Sequence, residues 1–488
     1  MTAFNFGHRV LAANVGLIAA AEPSLIRFGF GHPVLAANVG LIAAAEPSLT
    51  IDPCKPSDSL NHLHEFAELF KNLFNNEDFS DVQLTVNGSL QLNAHKFLLV
   101  TQSDVFQTML SSEHWPDSQQ KSVKLTEEDQ CVPHFEDFLR YFYTGSITIV
   151  TDNAIPIHML ANKYNVSNLR SSVENFMVTN VSIKGTPNPA LLWRRYAKLA
   201  DVTGLEEACE NFLAWNMDQL MSSPEWTETD HDHLLALLKR DDLVVESEFT
   251  LLIGVINWID QHPNQTEEIL KHIRYPMIPP QDLFQYEPSA IKDQDARSFV
   301  LSQSSMAYQV NSVPIAVIKQ SYDISSAAFT ERIYTSKTNG SPFEVTQYSK
   351  QDKDSRRISL STKHFQQKFD WSIDFYPKGQ GPSYSFKGDD CAKLTCQLRN
   401  FSSAEQKYEH KLCILLMKFV DEVWCVRDVK TVSVGPCKQV TINNLLPLSA
   451  RGQYVCNDTM KLHFTGQTFP EKDDDDEFPQ PAKKLCIG

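Results

Sequence analysis

Residues 78–110, DFSDVQLTVNGSLQLNAHKFLLVTQSDVFQTML, constrain this chain more tightly than any other stretch. Val82, Leu84 and Val86 alternate with polar residues, as a strand with one buried face requires. Asn87-Gly88 follows, the dipeptide suited to a two-residue type I′ turn because both positions take positive φ. Leu90, Leu92 and Ala94 resume the alternation on a return strand. Ser103 and Asp104 then stand at a helix N-cap, ahead of Val105, Phe106, Met109 and Leu110 at helical spacing. A hairpin and a helical pair in so short a span predict a mixed α and β unit.

The flanks extend this pattern. Residues 59–76, SLNHLHEFAELFKNLFNN, set Leu60, Leu63, Phe66, Ala67, Phe70, Leu73 and Phe74 on one helical stripe. Downstream, Ser122–Leu125 reads as a strand, and Thr126 as the cap of a helix through Phe135, Phe138, Leu139 and Phe142 that ends at Gly145. A strand over Ile147–Val150 and helices near Ile155–Tyr164 and Leu169–Val178 follow. Thr186-Pro187-Asn188-Pro189 reads as a linker, with Asn188 as N-cap and Pro189 in the first helical turn. From 189 to about 290 the periodicity is helical, and Trp193, Trp215 and Trp258 fall on apolar faces as core residues. From about 315 to 468 short alternating runs take over: Arg357–Leu360, Trp371–Phe375, Leu394–Leu398, Leu412–Leu416, Trp424–Val426 and Val440–Ile442. That spacing is the signature of a β-sandwich, expected to fold separately because its own strands supply its core.

Asp81, the hairpin, Ala94-His95-Lys96 and the Val105-Phe106/Met109 step occur in an order that resembles the BTB/POZ domain, and YFYTG at 141–145 resembles its conserved turn. The text LKRDDLVVESEFTLLIGVINWI at 238–259 resembles the BACK domain, and IRYPMIPPQDL at 273–283 its closing segment. FDWSIDFYPKG at 369–379 resembles the TRAF/MATH-like sandwich signature. The chain is similar to the BTB/POZ–BACK family with a C-terminal TRAF-like domain. The implied fold class is multidomain α+β: an α/β BTB/POZ domain at 59–182, an all-α BACK domain at 188–292 and an all-β sandwich at 315–468. Residues 1–58 are left as a duplicated segment, disordered or targeting, and 469–488 as an acidic disordered tail.

The resemblance implies roles for particular residues. The helix over 59–76 would form a homodimer interface through Leu60, Leu63, Phe66, Phe70 and Leu73. Asp81 and Lys96 match the acid and base lining the family's central pocket, and a polar pair without a ligand role is the alternative. Relatives that recruit cullin-3 carry a hydrophobic-x-Glu motif after the 105–110 helix. Here Trp115-Pro116-Asp117 stands in that loop, with an acid one methylene shorter and a φ fixed by proline. Trp115, Asp117 and Tyr143 are the candidate cullin contacts, and Trp115 folding back on its own domain is the competing reading. Better-known adaptors of this kind carry the sandwich first, so no target-groove residues are transferred.

No motif for bond-making chemistry occurs. GxxxxGK[ST], GxSxG, HExxH and a dinucleotide fingerprint in context are all missing. His231-Asp232-His233 could ligate a metal, but after Thr229-Asp230 it reads as a solvated helix start. No cofactor is expected. The net charge of −16 over 488 residues argues against a nucleic-acid surface, and no zinc-finger array or basic helix suggests a transcriptional regulator. No uninterrupted apolar run is long enough to span a membrane. Six of the ten cysteines (Cys391, Cys396, Cys413, Cys425, Cys437, Cys456) crowd the C-terminal region as buried thiols or disulfides. The segment at 6–25 recurs at 30–49 with Arg9 replaced by Pro33, and Val10–Ala21 has the length of a signal-peptide core. Two functions follow. One is a cytoplasmic, non-enzymatic dimeric adaptor that holds an unknown target on its sandwich for a cullin-3 ubiquitin ligase. The other is a secreted or cell-surface binding glycoprotein, using sequons at Asn87, Asn165, Asn180, Asn264, Asn400 and Asn457.

Overall fold

The computed structural model describes residues 61–111, 120–182, 188–262, 266–286, 291–336, 342–350, 356–364, 367–378, 392–399, 408–420, 422–434, 439–446 and 448–470. They group into two units, one formed by residues up to 126 with 139–147, the other by 127–138 with 148 onward.

The first unit opens with α1 (Leu63–Asn72) and then the hairpin of β1 (Val82–Val86) and β2 (Leu90–Ala94). Their register pairs Val82 with Ala94 and Val86 with Leu90. Asn87 and Gly88 take φ of 46° and 73°, the double positive φ of a type I′ turn. The helices α2 (Lys96–Val100) and α3 (Asp104–Ser111) follow, and Ser103 Oγ accepts the Phe106 N–H at 3.1 Å as the expected cap. The strand β3 (Ser122–Leu125) joins β1 in parallel, giving a sheet of order β2-β1-β3. Leu84, Val86, Leu92, Ala94, Phe106 and Val123 fill the core beneath it.

Two local expectations are corrected here. Thr126 caps no helix: α4 (Phe135–Thr144) starts after a 3-10 turn over Val132–His134. Glu127 is drawn inward instead, its buried carboxylate accepting the Tyr164 hydroxyl at 2.5 Å and meeting Lys163 Nζ at 2.9 Å. The helix does end at Gly145, whose φ of 62° suits glycine. Ile147–Val150 is not a strand. Asn153 Oδ1 accepts the Val150 N–H at 2.8 Å and its Nδ2 donates to the Thr148 carbonyl at 3.0 Å. One side chain thereby takes backbone groups that a sheet neighbour would otherwise satisfy.

In the second unit α5 (Ala154–Lys163) and α6 (Ser167–Thr179) precede the helical array. Asn188 caps α7 (Pro189–Leu199), its side chain accepting the Ala190 N–H at 3.0 Å. Next come α8 (Thr203–Trp215), α9 (Met217–Met221), α10 (His231–Leu238), β4 (Val244–Val245), α11 (Glu248–Ile259), α12 (Thr266–Leu270) and α13 (Pro280–Gln285). Trp193 and Trp258 are fully buried, as core residues should be, and Trp215 is partly buried. The helix α14 (Gln294–Ser312) then runs on, capped by Asp293, followed by α15 (Ile315–Ile318). Val310, Ile318, Ile324 and Phe329 pack there as a small separate cluster. The chain next lays β5 (Ile333–Tyr334) parallel to β4, Ile333 opposite Val244.

The sandwich follows, and all six alternating runs lie within its strands. They are β6 (Phe343–Val345), β7 (Arg356–His364), β8 (Gln367–Tyr376), β9 (Ala392–Arg399), β10 (Tyr408–Val420), β11 (Val423–Val434), β12 (Gln439–Leu446), β13 (Val455–Cys456) and β14 (Thr459–Pro470). One sheet has the order β11-β10-β14-β13 with β6 against β14, the other β12-β9-β8-β7. Trp371, Ile373 and Phe375 meet Leu412, Ile414, Leu416, Leu462 and Phe464 between them. Gly466 permits a close approach there, since a Cβ would sit 3.0 Å from Thr362 and Trp371 side-chain atoms. The sandwich packs on the helical array through its outer face. Cys413 and Leu415, on the opposite face of β10, are buried in a second cluster with Val244, Ile333 and Val426.

Candidate interaction surfaces

The helix α1 carries an apolar stripe but has no buried residue. Phe74, just beyond it, is its anchor: the Arg140 guanidinium lies 4.2 Å above that ring and Tyr143 meets it edge-on at 5.5 Å. Leu63, Phe66 and Leu69 are 49%, 58% and 63% exposed, while Phe70 and Leu73 are half-buried. Phe66 and Phe70 touch edge to face at 4.9 Å. Leu69 belongs to this exposed apolar patch although it lies off the expected stripe. Leu60, Trp115 and Asp117 lie outside the described residues, as do most of the flanking segments 1–58 and 469–488.

Asp81 and Lys96 meet through the main chain. The Lys96 N–H donates to Asp81 Oδ1 at 2.7 Å, so the carboxylate fixes the first turn of α2 onto the hairpin. Tyr143 works inside its unit: it is 5% exposed, and its hydroxyl meets the His95 backbone N–H and Nδ1, each at 3.0 Å. Burial pushes that phenol up to about 12. His231 and His233 begin α10, where Asp230 Oδ1 accepts the His233 N–H at 2.9 Å. Burial first, then the neighbouring Arg194, lowers the His233 imidazole to about 3. Among the described residues no cluster of His, Cys, Asp or Glu could hold a metal ion.

Sequence reasoning missed the polar seam between the helical array and the sandwich. Both backbone groups of Val426 are satisfied by the Asn216 side chain, each bond 2.8 Å. Thr465 Oγ1 donates to the Tyr334 carbonyl at 2.9 Å, and Gln467 Nε2 reaches the Asp241 and Glu331 carbonyls at 3.3 and 3.1 Å. The segment leading into the sandwich is plugged by Arg332. Its Nε meets Glu248 Oε2 at 3.1 Å, both side chains fully buried. The same guanidinium donates to the carbonyls of Leu238 (2.7 Å), Arg240 (2.5 Å) and His272 (2.9 Å). Glu248 also accepts the Tyr334 hydroxyl at 2.6 Å and the Arg274 N–H at 2.8 Å. Three donors therefore converge on the buried carboxylate. A glutamate in the first turn of a helix reads locally as a dipole complement, so nothing nearby in sequence betrays this role.

Six described cysteines (Cys131, Cys209, Cys396, Cys413, Cys425, Cys456) are free thiols. Cys396, on β9 of one sheet, points into the sandwich core, and Cys413, on β10 of the other sheet, points out of it. Burial pushes Cys396 up to about 11 and Cys413 up to about 12, keeping both protonated. No described helix is long and apolar enough to cross a membrane.

Comparison with known proteins agrees with this architecture. Residues 70–181 match the BTB/POZ domain, 190–287 the BACK (BTB And C-terminal Kelch) domain and 329–467 the BTBD17 TRAF domain. BTB/POZ domain-containing protein 17 of Xenopus laevis is 30% identical over 331 residues, which cover 65% of this chain and 69% of the relative. The Homo sapiens protein of that name is also 30% identical, covering 66% and 67%. Galectin-3-binding protein of Rattus norvegicus is 26% identical over 335 residues, covering 66% of this chain and 56% of the relative. With BTB, BACK and TRAF domains in that order and this extent of likeness, the chain belongs to the family of BTB/POZ domain-containing protein 17.

Proposed function

We propose that the protein is a non-enzymatic, dimeric, cytoplasmic adaptor that recruits a target to a cullin-3 ubiquitin ligase. The observation that carries this reading is α1, an amphipathic helix without one buried residue. An exposed patch of Leu63, Phe66 and Leu69 is stable in water only at a cost that a second copy of the helix removes. The loop holding Trp115 and Asp117 supplies the cullin contact, and the sandwich, braced on the BACK helices, holds the target. Pairing two such arms raises the effective concentration of capture sites. The test is binding of the full chain to cullin-3. Trp115→Ala should cost roughly thirtyfold in affinity, as truncation of a buried aromatic anchor does. No binding by the wild-type dimer at micromolar concentration would remove the ligase role.

A second reading is a secreted binding glycoprotein. It is favoured by the likeness to galectin-3-binding protein and by the sequons at Asn87, Asn165 and Asn457, exposed turn positions with φ of 46°, 50° and 48°. The Asn180 Nδ2 donates to the Phe176 carbonyl at 2.9 Å. Endoglycosidase sensitivity of the protein purified from its native cells would select this reading, and unchanged mobility would select the first.

A further inference from the structure

A cavity of about 210 Å³ opens where the BACK helices meet the segment leading to the sandwich. Leu238 and Lys239, residues 271–274, and Ala327 and Ala328 line it. Its charge is one-sided. Arg274 is buried in its wall, its guanidinium bonded to Asp241 and to Thr330 Oγ1. Lys239 and Lys271 are exposed at the rim, and neither ammonium has an ion-pair partner among the described residues. His272 lies between them, half-buried. After burial, the cations Lys239, Lys271 and Arg332 hold its imidazole below the usual range, against Glu268. In a chain of net charge −16, such a concavity is an anion site in search of its anion.

The course of the last strand says which anion. Near the end of β14, Gln467 donates to the Asp241 carbonyl at 3.3 Å, and the Thr468 N–H donates to Glu331 Oε2 at 3.2 Å. Asp241 is also the residue whose carboxylate holds Arg274 at the cavity. Beyond Pro470 the sequence runs Glu471-Lys472 and then Asp473-Asp474-Asp475-Asp476-Glu477, the densest acidic run in the chain. Extended, a stretch of the length from Pro470 to Glu477 spans up to roughly 25 Å, and Gln467, three residues before Pro470, already touches Asp241 beside the cavity.

We infer that the cavity is a binding site for a carboxylate-rich segment, and that its occupant is this chain's own Asp473–Glu477 run, set against Lys239, Lys271 and His272. Tethering makes weak contacts sufficient, since a short linker presents the run at an effective concentration on the order of millimolar. Asp241 is paired with Arg274, so the positive charge offered at the rim is that of Lys239 and Lys271. The inference is independent of the dimer and of the ligase.

Carbodiimide coupling of the full-length protein tests it directly. The reagent joins a carboxylate to a lysine amine as an amide and takes up the released water as its urea. Peptide mass mapping should find Lys239 or Lys271 joined to Asp473–Glu477. The Lys461–Glu344 ion pair, 2.6 Å apart, is the internal control. Coupling of the control pair without coupling of the tail to either lysine overturns the inference. So does coupling only between different copies in an equal mixture of isotope-labelled and unlabelled protein. A second measurement uses sulfate as the probe. Full-length protein with Asp473→Asn, Asp474→Asn, Asp475→Asn and Asp476→Asn should bind sulfate about tenfold more tightly than wild type, because the tethered competitor is gone. Adding Lys239→Gln and Lys271→Gln should abolish that binding. Equal sulfate affinity in wild type and the Asn variant overturns the inference.

Discussion

Replacing Arg332 by Met should unseat the sandwich from the BACK helices. The methionine fills much of the arginine's volume without its charge. Glu248 then stays buried with its charge uncompensated, and breaking a buried pair from one side costs about 3–5 kcal/mol. The carbonyls of Leu238, Arg240 and His272 lose a donor at 2.5–2.9 Å, which adds about 1 kcal/mol or more. Two remaining donors, the Tyr334 hydroxyl and the Arg274 N–H, soften the loss on Glu248. At about 2–4 °C per kcal/mol for a unit of this size, the melting temperature should fall by about 10 °C. Differential scanning calorimetry of the full chain reads that shift. The double variant Glu248→Gln/Arg332→Met restores neutrality and keeps an oxygen facing the Arg274 N–H, so it should recover roughly half the loss. Arg357→Met, which breaks an exposed pair with Asp374 on the outer sheet face, is the control and should leave the melt unchanged. An Arg332→Met protein melting within about 2 °C of wild type would refute the plug as a structural device.

Other consequences are equally checkable. Phe66→Glu with Phe70→Glu should convert the dimer to monomer in multi-angle light scattering, because charge is expensive in an apolar interface. A fragment starting at 343 should aggregate, since it exposes Cys413, Leu415 and Val426, whereas one starting at 188 should stay soluble with mixed α and β circular dichroism. Burial raises the Asp218 carboxyl to about 6, against a backbone bond from the Glu246 N–H that lowers it. A raised folded value stabilises the protein at low pH and loses that contribution as pH climbs from about 4 to about 6. Asp218→Asn should therefore raise the melting temperature at pH 8 but not at pH 4, with Asn Oδ1 able to keep the Glu246 N–H bond. Asp117→Glu should match or exceed wild-type affinity for cullin-3, and Asp117→Lys should weaken it, both read by calorimetry.

What could be read from the sequence was local. Asn87-Gly88, the Ser103 and Asn188 caps, Gly145 and the six sandwich strands each rest on a few adjacent residues whose backbone chemistry admits one answer. The helix α14 escaped because its buried positions, Ala296, Val300, Ala307 and Val310, are small and widely spaced, leaving a weak apolar stripe. Asp293 ahead of Ala296 was the available signal: its carboxylate accepts that N–H at 2.6 Å. Ile147–Val150 failed for the opposite reason. β-branched residues fit a strand, but a nearby Asn side chain offered the backbone a closer partner.

The seam between BACK and sandwich was illegible residue by residue, because Glu248 and Arg332 stand far apart in sequence and neither has local neighbours that announce a pair. Its position was nevertheless written in β10. A strand with one solvated face alternates, yet residues 412–417 read Leu-Cys-Ile-Leu-Leu-Met without a polar interruption. Such a run belongs to a strand covered on both sides, and β10 is: Leu412, Ile414 and Leu416 face the sandwich core, Cys413 and Leu415 the BACK side. In the facing sheet β8 shows the contrast, with partly exposed Asp370 and Asp374 alternating with buried Phe369, Trp371, Ile373 and Phe375. The difference between these two strands predicts which sheet docks and which remains free. It also explains why the polar residues at the seam, Asn216, Thr465 and Gln467, are all hydrogen-bonded: a face closed to water leaves no other way to satisfy them.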